Sequence, residues 1–132
     1  FYDFFRLDDD HLSVLVADVS GKGVPAAFFM AVSRTLLRAV AQFSTCPADC
    51  LQRLNDLLAA DNEELMFVTL FYAVIDTRDG SVVYSNAGHN PPYVVRSNGQ
   101  IEVIPILGDM ALAVMPDMPY TEHRLQLTPG DA

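Results

Sequence analysis

The chain has 132 residues, which is enough for one domain with a hydrophobic core and too few for two ordinary domains. Its hydrophobic content of 51% excludes a disordered chain. With 17 acidic residues against 8 lysines and arginines, the formal net charge is −9. That charge argues against nucleic acid or an anionic membrane surface as a partner, and it is compatible with divalent cations or a basic partner.

The two cysteines, Cys46 and Cys50, have no second Cys/His pair at metal-ligand spacing beside them, so they are interpreted as free thiols of a reducing compartment. No stretch approaches about 18 uninterrupted apolar residues, and the amino terminus does not resemble a signal sequence. We therefore expect a soluble, cytoplasmic protein. Phe1 begins in mid-strand and Asp131 closes a turn, so both ends are expected to lie inside a longer domain.

In chain order, the first predicted feature is a β-hairpin of residues 1–7 and 11–19 joined by an acidic turn. The three consecutive aspartates of that turn lack the alternating spacing of a calcium-binding loop, which favours a solvated hairpin tip. Asp3 is harder to place, because aspartate is unusual inside a strand. One interpretation is that it faces the same cleft as Asp18.

Two amphipathic helices follow, and they are expected to pack side by side. Pro25 suits the first turn of a helix, because its missing N–H has no intrahelical partner there. Apolar residues then recur at spacings of three and four and predict the buried face: Phe29, Val32, Leu36, Val40 and Phe43. Arg34 and Arg38 are expected on the solvent side. Pro47 opens the second helix, which is predicted to end near Asp61.

The second half of the chain alternates strand patterns with turn signals, which predicts an antiparallel meander. The predicted strands cover residues 65–76, 81–87, 92–97 and 101–106, followed by an irregular segment and a last strand over 120–127. Together with the hairpin and the helix pair, this order of elements predicts a single α+β domain over residues 1–132.

The candidate chemical site is the bend after the second strand, where Asp18 precedes Gly21 and Gly23. Glycines let the backbone turn sharply and leave its polar groups uncovered, so a carboxylate there suits a cation or the N–H donors of the next helix. The alternative is an aspartate that only caps a turn. A nucleotide-binding phosphate loop is excluded, because Gly23 follows Lys22 where that motif needs serine or threonine.

His89 lies in an Ala-Gly-His-Asn-Pro-Pro segment at the end of a predicted strand. A histidine in that position can donate a proton or contact a phosphate, and Asn90 beside it is a second candidate substrate contact. His89 can equally fix the turn by bonding local backbone. His11 and His123 are interpreted as surface residues.

Several segments together resemble one family: Phe1–Phe5, Asp18–Ala27, Phe67–Phe71, Ser85–Pro92 and Leu127–Asp131. In order and spacing they are similar to the bacterial SpoIIE or RsbU-like branch of the metal-dependent serine/threonine protein phosphatases (PPM). The resemblance covers essentially the whole chain. It implies an incomplete PPM fold, a β-sandwich of two mainly antiparallel sheets flanked by an antiparallel helix pair.

The resemblance implies hydrolysis of phosphoserine or phosphothreonine with two Mn²⁺ or Mg²⁺ ions, which neutralise phosphoryl oxygens and activate a bridging water. It implies that the Asp18 carboxylate bridges the two metal ions and that the Val19 backbone carbonyl is a further ligand. It also implies that Gly21 and Gly23 let the loop approach the ions without a side-chain clash. Two further aspartates of the family would lie just outside the two ends of the chain. Residues 1–132 alone are therefore expected to bind metal weakly and to turn over negligibly.

Two positions depart from the family pattern. Ser20 stands about where related phosphatases of other branches carry a histidine general acid, so protonation of the leaving group would need water or another residue. The segment 112–114 is Leu-Ala-Val where the family more often shows Leu-Gly-Val.

For partners, the resemblance implies a phosphorylated anti-sigma-factor antagonist as substrate, in a partner-switching or two-component pathway, and a sensor or receiver domain before the phosphatase domain. A homodimer is compatible with it, and neither nucleic acid nor membrane is expected. Two alternatives stay open. One is a catalytically silent PPM-like docking or regulatory module, and the other is a globular domain in which Asp18 merely caps a turn.

Overall fold

The computed structural model describes residues 1–60, 62–105 and 108–132. In these residues the chain forms, in order, β1 (Tyr2–Arg6), β2 (His11–Val19), α1 (Val24–Ala41), α2 (Pro47–Ala60), β3 (Val68–Asp76), β4 (Ser81–Ala87), β5 (Tyr93–Val95), β6 (Ile101–Val103) and β7 (His123–Gln126). The predicted α+β class, with two antiparallel sheets and a helix pair, is confirmed. The predicted helix end at Asp61 and strand end at Ile106 lie outside the described residues.

Five strands form the main sheet in the order β1, β2, β3, β4, β7, with every neighbouring pair antiparallel. β5 and β6 form a separate two-stranded sheet, so the predicted continuous meander is wrong beyond β4. Pro91 and Pro92 explain the exit from the main sheet, because neither has an N–H to continue the ladder. β3 also begins later than predicted, since Leu65 has a φ of 51°, which a strand does not allow.

The main sheet is apolar on both faces. One face packs against the helices through side chains such as Leu15, Leu70 and Tyr72, which are at most 2% exposed. The other face is partly covered by the β5–β6 hairpin, with Tyr84 and Val94 buried between the two layers. Because side chains alternate along a strand, neighbouring residues of β2, β3 and β4 belong to different layers.

The buried face of α1 differs from the predicted one. Val40 is buried as expected, but Val32 is 46% exposed and Phe43 is 79% exposed. The buried residues of the helix are Ser33, Leu37, Val40 and Ala41. Since apolar residues lie on several sides of α1, its helical period alone does not specify which side meets the sheet.

Arg34 and Arg38 do not simply face solvent, because both bind Asp3 of β1 with N–O distances of 2.8 and 2.7 Å. They tie α1 to the edge of the main sheet. Among the described residues, α1 is the one helix long and apolar enough to cross a membrane, with 18 residues and a mean hydropathy of 1.4. Helices of folded domains pass the same test, so this is weak evidence for a span.

The segment before β7 is held beside the start of β3, where Val68 and Leu112 exchange backbone hydrogen bonds of 3.1 and 2.8 Å. Ala113 adopts a left-handed conformation, with a φ of 66°, at the position where glycine is more usual in the resembling family. Asn55 accepts from the Ala113 N–H at 2.9 Å, and Asn62 donates to its carbonyl at 3.0 Å. These two side chains hold the loop in a shape that glycine would adopt more easily.

Candidate metal centre

Asp18 lies near the end of β2, on the face of the main sheet opposite the helices. Its neighbours Ala17 and Val19 pack on the helix side, and side chains alternate along a strand. The Asp18 side chain is exposed. Within the described part of the chain, one side chain forms a hydrogen bond with this residue: the Thr69 hydroxyl contacts the Asp18 backbone oxygen at 3.5 Å. A turn-capping carboxylate would accept backbone N–H bonds, and this one accepts none from the described residues.

The backbone carbonyl of Val19 points away from β3. The N–H of the next residue bonds to β3 at 2.9 Å, so Val19 presents its own N–H and carbonyl to the β1 side. On that side, Phe1 pairs with Ala17 through backbone bonds of 2.6 and 2.8 Å. The Val19 carbonyl lies beyond this pair, and no described strand residue faces it. In the same register, a residue immediately before Phe1 would lie opposite Asp18.

Two glycines shape the bend between β2 and α1. Gly21 and Gly23 have φ values of 87° and 80°, a region that residues with side chains rarely adopt. A Cβ built on either would meet nothing within 4 Å, so conformation rather than crowding requires glycine. Ser20 fastens the bend to the start of β3, because its Oγ accepts from the Phe67 N–H at 2.8 Å. The bend leaves the end of β2 open to solvent.

The structure brings His89 close to the end of β2 through a threonine that sequence reasoning did not single out. Thr69 is the cross-strand partner of Asp18, and its Oγ1 lies 2.8 Å from His89 Nδ1. Asn86 fixes the loop that carries the ring. Its Oδ1 accepts from the His89 N–H at 2.8 Å, and its Nδ2 donates to the His89 carbonyl at 3.1 Å. The imidazole is therefore held in a row with Thr69 and Asp18 across the sheet.

Burial lowers the pKa of His89, and the nearby Asp18 carboxylate partly opposes that shift. The ring is therefore mainly neutral near pH 7. Its Nε2 forms no hydrogen bond with the described residues, whereas Nδ1 is engaged by Thr69. Asn90, the other predicted substrate contact, is exposed and its side chain bonds to no described residue. Both side chains are accessible to a ligand.

Asp3 lies on the other face of the sheet from Asp18. It pairs in register with Leu15, whose side chain is in the helix-facing core. There Arg34 and Arg38 bind its carboxylate. The interpretation that Asp3 shares a cleft with Asp18 is therefore wrong, because the alternation of β1 turns it towards α1.

Asp131 is occupied by its own turn. Its carboxylate accepts from the backbone N–H groups of Ser97 and Thr128, at 2.8 and 3.0 Å, and from Arg96 at 3.0 Å. These contacts hold the pKa of Asp131 well below its usual range. The Pro-Gly-Asp segment therefore has a structural role, because it binds the residues that follow β5.

The residues at the end of β2 fit one part of a metal site. Asp18 and Val19 offer a carboxylate and a carbonyl oxygen, the hard donors that Mg²⁺ and Mn²⁺ prefer. In residues 1–60, 62–105 and 108–132, no group of three His, Cys, Asp or Glu side chains could hold a metal ion. A complete coordination shell therefore needs ligands in addition to these two.

The fold is similar to those of solved structures, one of which is a phosphatase domain. It matches the PP2C phosphatase domain and a fragment of the regulatory domain of SpoIIE from Bacillus subtilis with a TM-score of 0.84 and 19% identity, covering 99% of this chain and 38% of that one. RsbX in complex with magnesium gives a TM-score of 0.74 and 22% identity, covering 98% and 62%. The fold is that of PP2C-type phosphatase domains.

Sequence comparison identifies the family within that class. A family model described as Stage II sporulation protein E (SpoIIE) matches residues 8–132, so the chain belongs to the SpoIIE family. Protein IcfG of Synechocystis sp. is 34% identical over 159 residues, and the phosphoserine phosphatase RsbU of Bacillus subtilis is 26% identical over 130 residues. The matches cover 99% and 98% of this chain, which spans 25% and 39% of those two relatives.

Sequence reasoning missed Thr69 and Asn86. Thr69 lies near the start of β3 and Asn86 near the end of β4, and a polar side chain near a strand end is a usable signal for a residue close to a site. The signal becomes specific only when the β2–β3 register sets Thr69 opposite Asp18.

Proposed function

We propose that this chain is the phosphatase domain of a metal-dependent phosphoserine/phosphothreonine protein phosphatase. The observation that carries the proposal is the exposed Asp18 carboxylate, unbonded to the described residues, next to the outward carbonyl of Val19. Membership of the SpoIIE family and the PP2C fold support the same activity. The relative RsbU carries the name phosphoserine phosphatase.

In this proposal, Asp18 and Val19 hold two Mn²⁺ or Mg²⁺ ions together with aspartates from outside residues 1–132. Such ions, when bound, neutralise the phosphoryl oxygens and supply hydroxide at neutral pH. The bend at Gly21 and Gly23 keeps the end of β2 clear of side chains. His89 and Asn90, on the loop after β4, bind and orient the phosphate.

The proposed substrate is a phosphorylated anti-sigma-factor antagonist in a bacterial partner-switching or two-component pathway, as the family resemblance implies. A basic surface on that protein would complement the net charge of −9. The chain spans 25% and 39% of its curated relatives, and the family resemblance implies a sensor or receiver domain in the same protein. We place this protein in the cytoplasm, and a homodimer is compatible with the proposal.

Asp18→Asn in the intact protein tests the metal role of this carboxylate. Isothermal titration measures Mn²⁺ binding, and hydrolysis of p-nitrophenyl phosphate measures turnover. We expect Mn²⁺ binding to weaken and turnover to fall on the order of 10²–10³-fold, because charge stabilisation at the phosphoryl group is lost. Asp9→Asn is the matched control, since Asp9 is an exposed carboxylate of the hairpin tip at the far end of β2.

Two results would redirect the proposal. Unchanged turnover in Asp18→Asn would show that the carboxylate holds no catalytic ion. An intact protein that hydrolyses neither p-nitrophenyl phosphate nor a phosphoserine peptide, with Mn²⁺ or Mg²⁺ present, would instead be the catalytically silent docking or regulatory module.

A further inference from the structure

An apolar groove about 580 Å³ in volume lies between α1 and α2. Phe28 and Val32 of α1 and Leu57 of α2 line it, and these residues are 46–70% exposed. Leu36 and Leu58 also line the groove and pack on the core beneath it. Large apolar side chains that are exposed as one continuous surface mark a binding site, whereas scattered ones do not. The groove is therefore a candidate docking surface.

The groove begins beside the candidate metal centre. Met66 lines it, and the next residue, Phe67, exchanges hydrogen bonds of 2.8 and 2.9 Å with Ser20 of the glycine bend. Met66 also lies three positions before Thr69, the cross-strand partner of Asp18. The Cα atoms of Met66 and Asp18 are therefore within about 16 Å of each other. One protein segment can contact both.

The length of the groove suits a helix. It follows α1 from Pro25 to Leu36, which is about 16 Å at a rise of 1.5 Å per residue. About three turns of a bound helix fit along that length. Such a helix fills an apolar groove with residues at spacings of three and four, as the apolar face of an amphipathic helix provides.

The charge of the groove selects among possible occupants. Glu64 is the one charged residue among the described residues that line it, and the neighbouring Glu63 is exposed. A complementary occupant carries a lysine or arginine at this point. A second copy of this chain would bring a further net charge of −9 to the same acidic rim, and an anionic membrane would be repelled.

We propose that the groove docks the phosphoprotein substrate, through an amphipathic helix that carries apolar residues and a basic residue for Glu64. The identity of this occupant rests on the proposed phosphatase function. Asp18 faces the other side of the sheet, so the substrate chain passes over the glycine bend. An extended chain advances about 3.3 Å per residue, so roughly five to eight residues connect a phosphoserine beside Asp18 with an anchor at Met66.

Docking at a distance from the reacting phosphate has a defined kinetic effect. The contacts are the same in the ground state and in the transition state. They therefore raise kcat/KM by lowering KM, with little change in kcat. A substrate that lacks the apolar residues loses this advantage, even when its phosphoserine is the same.

Two matched sets of fluorescein-labelled phosphoserine peptides test the docking on the intact protein with Mn²⁺. In one set, a helical segment with three leucines and a lysine lies five to eight residues before or after the phosphoserine. In the other set, alanines replace the leucines. We expect the best leucine peptide to exceed its alanine partner in kcat/KM by about tenfold or more, because leucine buries more apolar surface.

Substitutions in the groove should remove this preference. In Phe28→Ala, we expect the leucine-to-alanine ratio of kcat/KM to fall below about threefold. Both peptides are measured on the same protein, so a loss of active enzyme cancels in the ratio. Phe43→Ala is the matched control, because Phe43 is an exposed phenylalanine that does not line the groove. Glu64→Lys should weaken the lysine peptide and favour a peptide with glutamate in its place.

Fluorescence anisotropy in EDTA measures peptide binding without turnover. We expect the leucine peptide to bind the wild type and Phe43→Ala with the same affinity, and Phe28→Ala about tenfold more weakly. Sedimentation of the same proteins reports whether a second copy occupies the groove.

Equal kcat/KM for leucine and alanine peptides, at every spacing and on both sides of the phosphoserine, would overturn the proposal. A wild-type dimer that Phe28→Ala dissociates would also overturn it, because a second copy would then fill the groove. If the leucine peptide binds through the groove as expected but the wild type hydrolyses no phosphate ester, the docking surface stands and the proposed phosphatase function fails.

Discussion

Replacing Asp3 by asparagine tests the ionic cluster that ties β1 to α1. The Asp3 carboxylate is 8% exposed and accepts bonds from Arg38 at 2.7 and 2.8 Å and from Arg34 at 2.8 and 3.3 Å. The Arg38 guanidinium also lies over the Phe5 ring, 4.6 Å from its centroid. This cluster fixes the helix that follows the glycine bend against the first strand.

The size of the effect follows from what the substitution leaves behind. Removing one partner of a fully buried ion pair costs about 3–5 kcal/mol, because the other charge stays buried and unpaired. Here the side chains of Arg34 and Arg38 are 51% and 42% exposed, so water solvates them again. We expect Asp3→Asn to lower the free energy of unfolding by about 2–3 kcal/mol. Arg34→Gln leaves the shorter Arg38 contacts and should cost about 1 kcal/mol.

Urea unfolding followed by circular dichroism, repeated across pH, measures this difference. The two guanidinium groups hold the pKa of Asp3 well below its ordinary value. A carboxyl with a lowered folded pKa stabilises the protein above its unfolded pKa, near 4, and that contribution is lost as the pH falls. The gap between wild type and Asp3→Asn should be complete near pH 7 and shrink below about pH 4.

Two results would refute this reasoning. A gap under about 0.5 kcal/mol near pH 7 would place the cluster among ordinary surface ion pairs. A gap that persists unchanged on acidification would show that the charge of Asp3 is not its source.

Two pairs of substitutions test packing in the main sheet, with urea unfolding as the measurement. The Ser85 hydroxyl is buried without a hydrogen-bond partner among the described residues. Ser85→Ala should therefore raise the free energy of unfolding by about 1 kcal/mol, whereas Ser13→Ala, which removes a 3.0 Å bond to a buried tyrosine hydroxyl, should lower it by about 1–2 kcal/mol. A Cβ at Gly80 would overlap the Leu127 backbone oxygen, so Gly80→Ala should lower the free energy of unfolding by more than about 2 kcal/mol. The surroundings of Gly99 are open, so Gly99→Ala should lower it by only about 1 kcal/mol. Equal effects within either pair would contradict the packing described.

Local signals predicted most of the element order. The prolines at positions 25 and 47 marked both helix starts, and the acidic turn after Leu7 marked the first hairpin. The turn at Gly88 was predicted, but it was not predicted that the chain leaves the main sheet there and enters a second one. A turn motif specifies where a strand ends, and it does not specify which strand the chain pairs with next.

The buried side of α1 was also not determined by local sequence patterns. The 3.6-residue period of α1 could be read from the sequence, but apolar residues on several sides made Val32 and Leu37 equally suitable for burial. Contact with α2 and the sheet decided in favour of Leu37. Arg34 and Arg38, which the same period places outside, were turned to Asp3 by the position of β1.

The sequence by itself determined the α+β class, the strand–bend–helix around Asp18 and the family to which the chain belongs, because short-range patterns and motif spacing encode all three. Only the tertiary structure decided that Asp3 turns away from that bend and that His89 meets Thr69 beside Asp18. The first relation depends on the register between β1 and β2, and the second on the register between β2 and β3, which pairs residues some 50 positions apart in the chain. A shift of one residue would send each side chain to the opposite face, and no local pattern records that choice.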